Sequence, residues 1–326
     1  MSRKFKRCLI TGITGSGGSY LAEHIASKKN NTKIYGFYRS KGYLSLLKKK
    51  YNSNIKFYKV DMTNYNQVFI SIKKCNPDVI FHMASNADVR GSFDNPLLHI
   101  KNNNLITANL LEACRELKVN PLIIICSSSE VYGNVEKKFM PISEQQQIAP
   151  INPYAATKAF QDLLAQVYSK TFKMRIIITR MFSYTNARRN NLFQTAFAMQ
   201  IAKCEKNKFK KLMHGNLSST RTFVDISDAM EAYWLAATKG KVGEIYNICG
   251  EDVVSVKEFL KELLKLSKIT IKPYLDKKLL RPNDIDLQIS NSKKFKKDTG
   301  WKVKVNFKES VKKLLNDCRK SLNNKS

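Results

Sequence analysis

The sequence predicts an α/β protein built on a doubly wound parallel sheet, with a smaller mixed α/β domain after it. Three observations carry this. Short β-branched runs alternate with helical patterns through the first half of the chain, which is how βαβ units read. Those runs are apolar without polar alternation, as strands are when both faces of their sheet are buried. A glycine triplet closes the first run, at the junction with a helix. The chain has 326 residues, 43% hydrophobic and 25% charged. That is enough for a large core and about two domains.

Taken in order, residues 8–12 read as the first strand and 19–28 as the helix behind it. Residues 33–38 and 55–60 are the next two strands. A helix over 65–74 leads to a strand at 79–84, and a longer helix covers 104–117. The run LIIICSSS at 122–129 is too short and too β-branched for a helix, so it reads as a strand. A helix over 153–171 and a strand at 175–180 complete a Rossmann-type unit, expected to span 1–185. From about Asn186 the pattern turns irregular, with helices at 192–203, 227–238 and 256–266 among short strands. This second unit, 186–326, is expected to close over the carboxyl edge of the sheet, where ligands bind in such folds. Segments near 220–250 are expected to return to the first unit.

Composition excludes several classes. The 57 basic and 26 acidic residues give a formal net charge of +31. The lysines nevertheless spread along the chain in small groups such as Lys48-Lys49-Lys50 and Lys296-Lys297, with no aromatic-interleaved stripe. We read a solvated basic surface that draws anionic substrates, and no nucleic-acid partner. No apolar run reaches about 18 residues, so no membrane span is expected. The basic-then-apolar N-terminus is too short for a signal peptide and runs into a glycine turn, which fits a buried first strand. Seven scattered cysteines without a CxxC pair, and four histidines without zinc-like spacing, point to a reducing, cytoplasmic setting and no metal.

In TGITGSGGSYLAE, Gly12, Gly15 and Gly18 recur at the strand-to-helix junction, and Gly17 adds backbone freedom. A chain there must turn sharply, admit a pyrophosphate close to the backbone, and enter a helix whose N-terminus favours anions. The end of the second strand chooses between cofactors. An acid would bind the ribose hydroxyls of NAD, whereas Tyr38-Arg39-Ser40 offers a guanidinium that pairs with the 2′-phosphate of NADP. Asp61, after the third strand, is placed either to meet the adenine edge or to cap a helix.

Tyr154 and Lys158, in PYAATK, stand four residues apart and share a helix face. Lys158 is expected to pull the phenol down from its ordinary pKa of about 10 and to hold the cofactor ribose, making Tyr154 a usable base. Tyr274 and Lys278 show the same spacing, read as coincidence. Only Tyr154 opens a helix after a proline, one loop beyond an apolar strand. That strand runs into Ser127-Ser128-Ser129-Glu130. In an extended segment Ser128 and Glu130 point the same way, setting a hydroxyl and a carboxylate beside Tyr154. The competing reading is a serine-rich turn with a solvated glutamate.

These segments, with SSSEVYGN, ARR at 187–189, GNLSSTRTFVDISDA, GEIYNICG, LLRPNDIDLQIS and TGW, resemble the extended short-chain dehydrogenase/reductase family over essentially the whole chain. Within it, the chain looks most like the GDP-mannose 4,6-dehydratases and the related GDP-4-keto-6-deoxymannose reductases. The resemblance implies dehydration of GDP-mannose with tightly held NADP. It implies that Ser128 hydrogen-bonds the sugar O4, Tyr154 takes its proton, Glu130 takes the C5 proton, and Glu130 or Ser128 acts as acid for the departing water. It implies cofactor contacts from Thr14, Ser16, Met62, Met83, Ala84, Ser85, Asn86 and Arg189. Substrate contacts would come from Arg221, Arg281 and Asp284, with guanidinium forks suited to a diphosphate. Subunit pairing through the helix carrying the tyrosine and its neighbour implies a homodimer or homotetramer.

The chain departs from the dehydratase pattern at several positions. Ser16-Gly17 replace Gln-Asp. Ser183-Tyr184 stand where Asn or Thr precedes His. Asn186-Ala187 replace Gly-Pro, and Asn190 replaces a glycine. The YNICG and TGW segments lean toward the reductases. A reductase of a C4 ketone, a C4 or C3/C5 epimerase on another nucleotide sugar, and a non-catalytic binder are the other readings. The intact Ser-Tyr-Lys set argues against the last.

Overall fold

A computed structural model describes residues 2–28, 31–208 and 210–323. The chain opens with β1 (Arg7–Thr11), α1 (Ser16–Ser27), β2 (Lys33–Tyr38), α2 (Leu44–Tyr51), β3 (Ile55–Lys59) and α3 (Tyr65–Cys75). It continues with β4 (Val79–His82), α4 (Val89–Asp94), α5 (Pro96–Glu116), β5 (Leu122–Ser128), α6 (Pro153–Thr171) and β6 (Ile176–Met181). After β7 (Ser183–Tyr184) come α7 (Phe193–Asn207), β8 (Lys211–His214), β9 (Thr220–Val224), α8 (Ile226–Lys239) and β10 (Ile245–Ile248). The chain ends with β11 (Asp252–Ser255), α9 (Val256–Lys265), β12 (Lys272–Leu275), β13 (Leu287–Gln288), α10 (Lys293–Thr299) and α11 (Phe307–Asn323).

Seven strands form one parallel sheet in the order β10-β6-β5-β4-β1-β2-β3. The doubly wound architecture read from the sequence is therefore the one observed. Strand β5 shows why its run is uniformly apolar. Ile123 and Ile125 enter the core on one face, with Leu9, Ile80 and Leu110. Leu122, Ile124 and Cys126 enter the core on the other, with Ile10, Phe81 and Trp234. Alternate side chains leave opposite faces, and helices cover both. Each fully buried Ile or Leu contributes about 1.5–3 kcal/mol.

Past β6 the chain leaves this sheet. β7 pairs with β9, Ser183 opposite Phe223, and so begins a second sheet that includes β11 and β13. A third core forms there around Phe197, Phe223, Phe259, Leu263 and Leu315. Strand β10 returns to the large sheet, Ile245 opposite Ile178, and α8 packs on α1.

Two helix starts differ from expectation. Helix α5 begins at Pro96 rather than 104, because the Asn95 side chain accepts from Leu98 N–H and Pro96 suits the first helical position. Helix α1 begins at Ser16 rather than 19, with Gly15 as its cap. Helices α2, α4, α10 and α11 were not read from the sequence. All seven cysteines are buried and unpaired. No helix among the described residues is long and apolar enough to cross a membrane.

Candidate active site

The carboxyl ends of β1, β2, β4, β5 and β6 open into a cleft of about 490 Å³, and segments 182–194 and Gln288 close its far side. The glycine turn floors one end. Gly12 has φ +67, and a Cβ on it would lie 2.8 Å from Ala84 Cα. A Cβ on Gly18 would lie 2.3 Å from the Gly12 carbonyl oxygen. Only glycine fits either position, and the backbone stays open to the cleft. Gly15 caps α1 without a side-chain hydrogen bond. The first N–H groups of that helix are thereby left for an anion. The Ser85 hydroxyl, which lines the same end, is buried without a partner among the described residues.

Gly12, Thr14, Gly15, Ser16, Gly18, Arg39, Met62, Met83, Ala84, Ser85, Asn86 and Arg189 all line the cleft. Asp61 does not. Thr63 donates to its carboxylate from Oγ1 at 2.8 Å and from N at 3.0 Å, and this bonding holds the carboxyl below its ordinary pKa. Nor is Asp61 a helix cap, since Asn64 caps α3. Arg39 donates to Asn102 Oδ1 at 2.8 Å and remains exposed at the mouth.

At the other end stand Ser128, Glu130, Tyr154 and Lys158. Asn152 caps α6 by accepting from Ala155 N–H, Pro153 follows, and the first turn points Tyr154 into the cleft. The Ser128 hydroxyl lies close enough to the phenol to favour its ionised form. Asn152 Nδ2 donates to Glu130 Oε2 at 3.0 Å. Contrary to the extended reading, Ser128 and Glu130 do not share a strand. Residues Ser129–Tyr132 form a 3₁₀ turn, because the Ser128 hydroxyl accepts from Glu130 N–H at 3.2 Å. Both side chains face the cleft by this turn instead.

The electrostatics also differ from expectation. Burial pushes the Tyr154 phenol up to about 12, and the first influence opposing it is Arg189, followed by the Ser128 hydroxyl. Lys158 spends its ammonium on the Cys126 carbonyl at 2.8 Å. Burial brings it down to about 8, with Arg189 adding to the shift. The cation acting most on the phenol is thus Arg189, on the opposite wall. Tyr274 lies on an exposed strand and Lys278 in a 3₁₀ turn, far from any shared helix face.

Arg221, Arg281 and Asp284 gather beside the cleft rather than in its lining. The Asp284 carboxylate lies 3.6 Å from Arg221 and 3.4 Å from Arg281. Arg221 is buried opposite Gln288, and its Nη1 has no partner among the described residues. Burial lowers its pKa, while Glu130 and Asp284 oppose that shift.

Sequence reading missed three supports. Gln288 lines the cleft and bonds Ser129 twice, accepting its hydroxyl at 2.9 Å and donating to its carbonyl at 3.1 Å. Asn103 accepts from Asn86 N–H at 2.7 Å and donates to Thr157 at 2.9 Å, tying the loop after β4 to α6. Asp162, one turn past Lys158, is fully buried and holds Arg180 and Ser127. The run of three consecutive asparagines, Asn102-Asn103-Asn104, was the signal available for Asn103. Nothing local marks Gln288.

The chain is similar over most of its length to proteins already known. Residues 9–314 match the family described as GDP-mannose 4,6 dehydratase. The chain is 28% identical to the GDP-mannose 4,6 dehydratase of Dictyostelium discoideum, over 97% of this chain and 96% of that one. It is 27% identical to the GDP-6-deoxy-D-mannose reductase of Pseudomonas aeruginosa, over 74% of this chain and 80% of that one. The structure of RMD from Pseudomonas aeruginosa complexed with NADPH superposes with a TM-score of 0.83 at 22% identity, covering 97% of this chain and 99% of the other.

Proposed function

Because the chain belongs to the GDP-mannose 4,6 dehydratase family, we propose that it converts GDP-mannose to GDP-4-keto-6-deoxymannose and water, with NADP restored at the end of each cycle. The observation that carries the reading is the Glu130 carboxylate, held by Asn152 in the same cleft as Ser128, Tyr154 and Lys158. Oxidation or reduction at C4 needs a hydroxyl acid–base pair. Loss of water needs a further group to take the C5 proton and protonate the departing C6 hydroxyl. Glu130 is that group.

The cofactor end fits a dinucleotide, on the glycine cradle and the unpartnered Ser85 hydroxyl. Arg39 at the mouth favours NADP over NAD. Bound NADP would supply the chemistry the side chains lack, accepting hydride from C4 and returning it to C6. Ser128 orients the O4 hydroxyl and Tyr154 accepts its proton. A phenol at about 12 keeps its own proton at neutral pH. Arg189 and the Ser128 hydroxyl, which both favour the phenolate, must therefore offset that burial when the O4 hydroxyl is in place. The resulting C4 ketone acidifies C5, Glu130 accepts that proton, and the same carboxyl donates it to the leaving hydroxyl; the O4 proton that Tyr154 took is then available to reprotonate C5, which leaves both side chains as they began. Arg221 and Arg281 hold the GDP diphosphate, with Asp284 aligning both forks.

We place subunit pairing on α5 and α6, which pack side by side. Leu98 and Leu105 on α5, and Phe160, Leu163 and Val167 on α6, recur at helical spacing and are exposed. A second copy of the chain would cover them in a homodimer.

A second reading, reduction of a GDP-4-keto sugar by NADPH, is favoured by the reductase relative. Ser128, Tyr154 and Lys158 serve it equally. Mass spectrometry separates the two. GDP-mannose incubated with protein and NADP+ should lose one water, with no net change in absorbance at 340 nm. An unchanged substrate, together with NADPH consumption on GDP-4-keto-6-deoxymannose, would establish the reductase instead.

A further inference from the structure

Segment 186–191, between β7 and α7, crosses the groove that runs between the turn after β1 and the loop after β4. These strands are neighbours in the sheet, Thr11 opposite His82. Two consecutive arginines in the segment reach opposite banks. Arg189 donates from Nη2 to the Ala87 carbonyl, on the β4 side. Arg188 turns the other way and grips α1, donating from Nη1 to Ser19 Oγ at 2.9 Å and from Nη2 to Glu23 Oε2 at 2.7 Å.

The grip of Arg188 is built, not incidental. Its guanidinium carbon lies 3.8 Å from the centre of the Tyr20 ring and 5.2 Å from that of Tyr43. Only 13% of its side chain is exposed. Desolvated cation–π contacts and a paired carboxylate reinforce one another in such a cage. The Tyr43 hydroxyl donates to the Arg188 carbonyl at 3.1 Å, and Tyr43 N–H in turn donates to the Thr14 carbonyl in the glycine turn. The Arg188 N–H is held by Asn186 Oδ1 at 3.0 Å. Tyr184, at the end of β7 just before the segment, closes on the same turn: a Cβ on Gly17 would lie 3.4 Å from its hydroxyl.

We infer that Arg188 is a positioning residue, which seats segment 186–191 as a strap across the diphosphate groove and slows escape of the bound nicotinamide cofactor. The inference rests on the dinucleotide reading of the cleft. Arg188 itself lies on the α1 side, away from Ser128, Glu130 and Tyr154. It acts through its neighbour Arg189 and through the covering segment. A reaction that returns its cofactor to the starting state has no use for release between turnovers, so a slow exit costs nothing in rate. Arg188 carries the strap on the α1 side, and Tyr43 adds a second, weaker attachment.

The test is a displacement experiment on the full chain. Protein loaded with NADPH is mixed with excess NADP+, and loss of bound-NADPH fluorescence gives the release rate. Association is measured separately. Release should accelerate about tenfold or more in Arg188→Gln and about threefold in Tyr43→Phe, with Arg188→Lys between them, since changes at a binding surface fall mainly on the off-rate. Association should change less than about threefold. Arg188→Gln leaves Glu23 without its cation, so the melting temperature of the cofactor-free variant is recorded too. Tyr43→Phe removes a single hydroxyl and keeps the test open if Arg188→Gln does not fold. Release rates in Tyr43→Phe and any folded Arg188 variant within twofold of the parent would overturn the inference while leaving the cofactor reading intact. A parent protein that binds neither NADPH nor NADH would overturn both.

Discussion

Asp162→Asn is the perturbation whose size the structure lets us work out most fully. The Asp162 carboxylate is fully buried and accepts four hydrogen bonds. Two come from Arg180, from Nε at 2.8 Å and from Nη2 at 3.0 Å. The others come from Ser127 Oγ at 2.9 Å and Gln166 Nε2 at 2.9 Å. The Arg180 side chain is only 3% exposed. Its remaining partners are the Tyr132 hydroxyl and the Glu144 carbonyl, which are neutral. Asparagine keeps the shape, removes the charge and turns one acceptor into a donor facing other donors. Removing one member of a buried pair typically costs about 3–5 kcal/mol, because the other charge stays buried alone. That is a fall of about two to three and a half orders of magnitude in the folded-to-unfolded ratio.

Urea unfolding can be followed by tryptophan fluorescence, since Trp234 and Trp301 both lie in the core under the sheet. The midpoint should drop sharply in Asp162→Asn. It should recover by at least half in Asp162→Leu/Arg180→Met, where neither charge remains. A loss below about 1 kcal/mol in the single variant, the size of an exposed pair, would refute the claim that this pair stands uncompensated without its anion.

Four further outcomes are expected. Glu130→Gln keeps the hydrogen bond from Asn152 but loses the proton acceptor, so dehydration should fall about 10²–10⁴-fold while NADP binding holds; near-normal turnover removes Glu130 from the mechanism. Arg39→Glu should weaken NADP at least tenfold more than NAD, by loss of a charge-assisted phosphate bond of about 1.5–3 kcal/mol, and equal losses in calorimetric titrations would count against that contact. His82 is buried and pushed down from 6.5 to about 3, by desolvation first and then by Lys158. The unfolded chain takes up a proton below 6.5 that the folded one refuses. Stability should therefore be lost as pH falls from 6.5 toward 3, by about 2 kcal/mol at pH 5. His82→Gln should flatten that part of the profile, and an unchanged slope would show that other groups dominate. Leu163→Glu, on the exposed face of α6, should convert a dimer to monomer in light scattering, whereas an unchanged mass would move the interface elsewhere.

The parallel sheet, the glycine turn and the Tyr154–Lys158 helix were legible in the residues alone. The reason is locality. A buried strand needs an apolar β-branched run, a tight approach needs glycine, and a helix face needs residues four apart. Each can be read within about a dozen positions. Asn95 shows where local reading failed even so: its cap begins α5 eight residues before the helical pattern becomes plain. At Ser128 and Glu130 the extended pattern misled, because a hydroxyl captured the next-but-one N–H and closed a turn.

Which distant groups meet was set by the packing of the folded chain. Gln288 reaches Ser129 because β13 lies beside β9 at the cleft wall. Arg221 comes within range of Glu130 through the same sheet. Arg189, rather than Lys158, faces the phenol as its leading cation because burial turned the lysine toward the Cys126 carbonyl. Arg188 reads as one of two adjacent surface arginines until α1 and Tyr43 are packed around it. Such contacts depend on how two sheets and their helices close on one another, and no spacing along the chain records that.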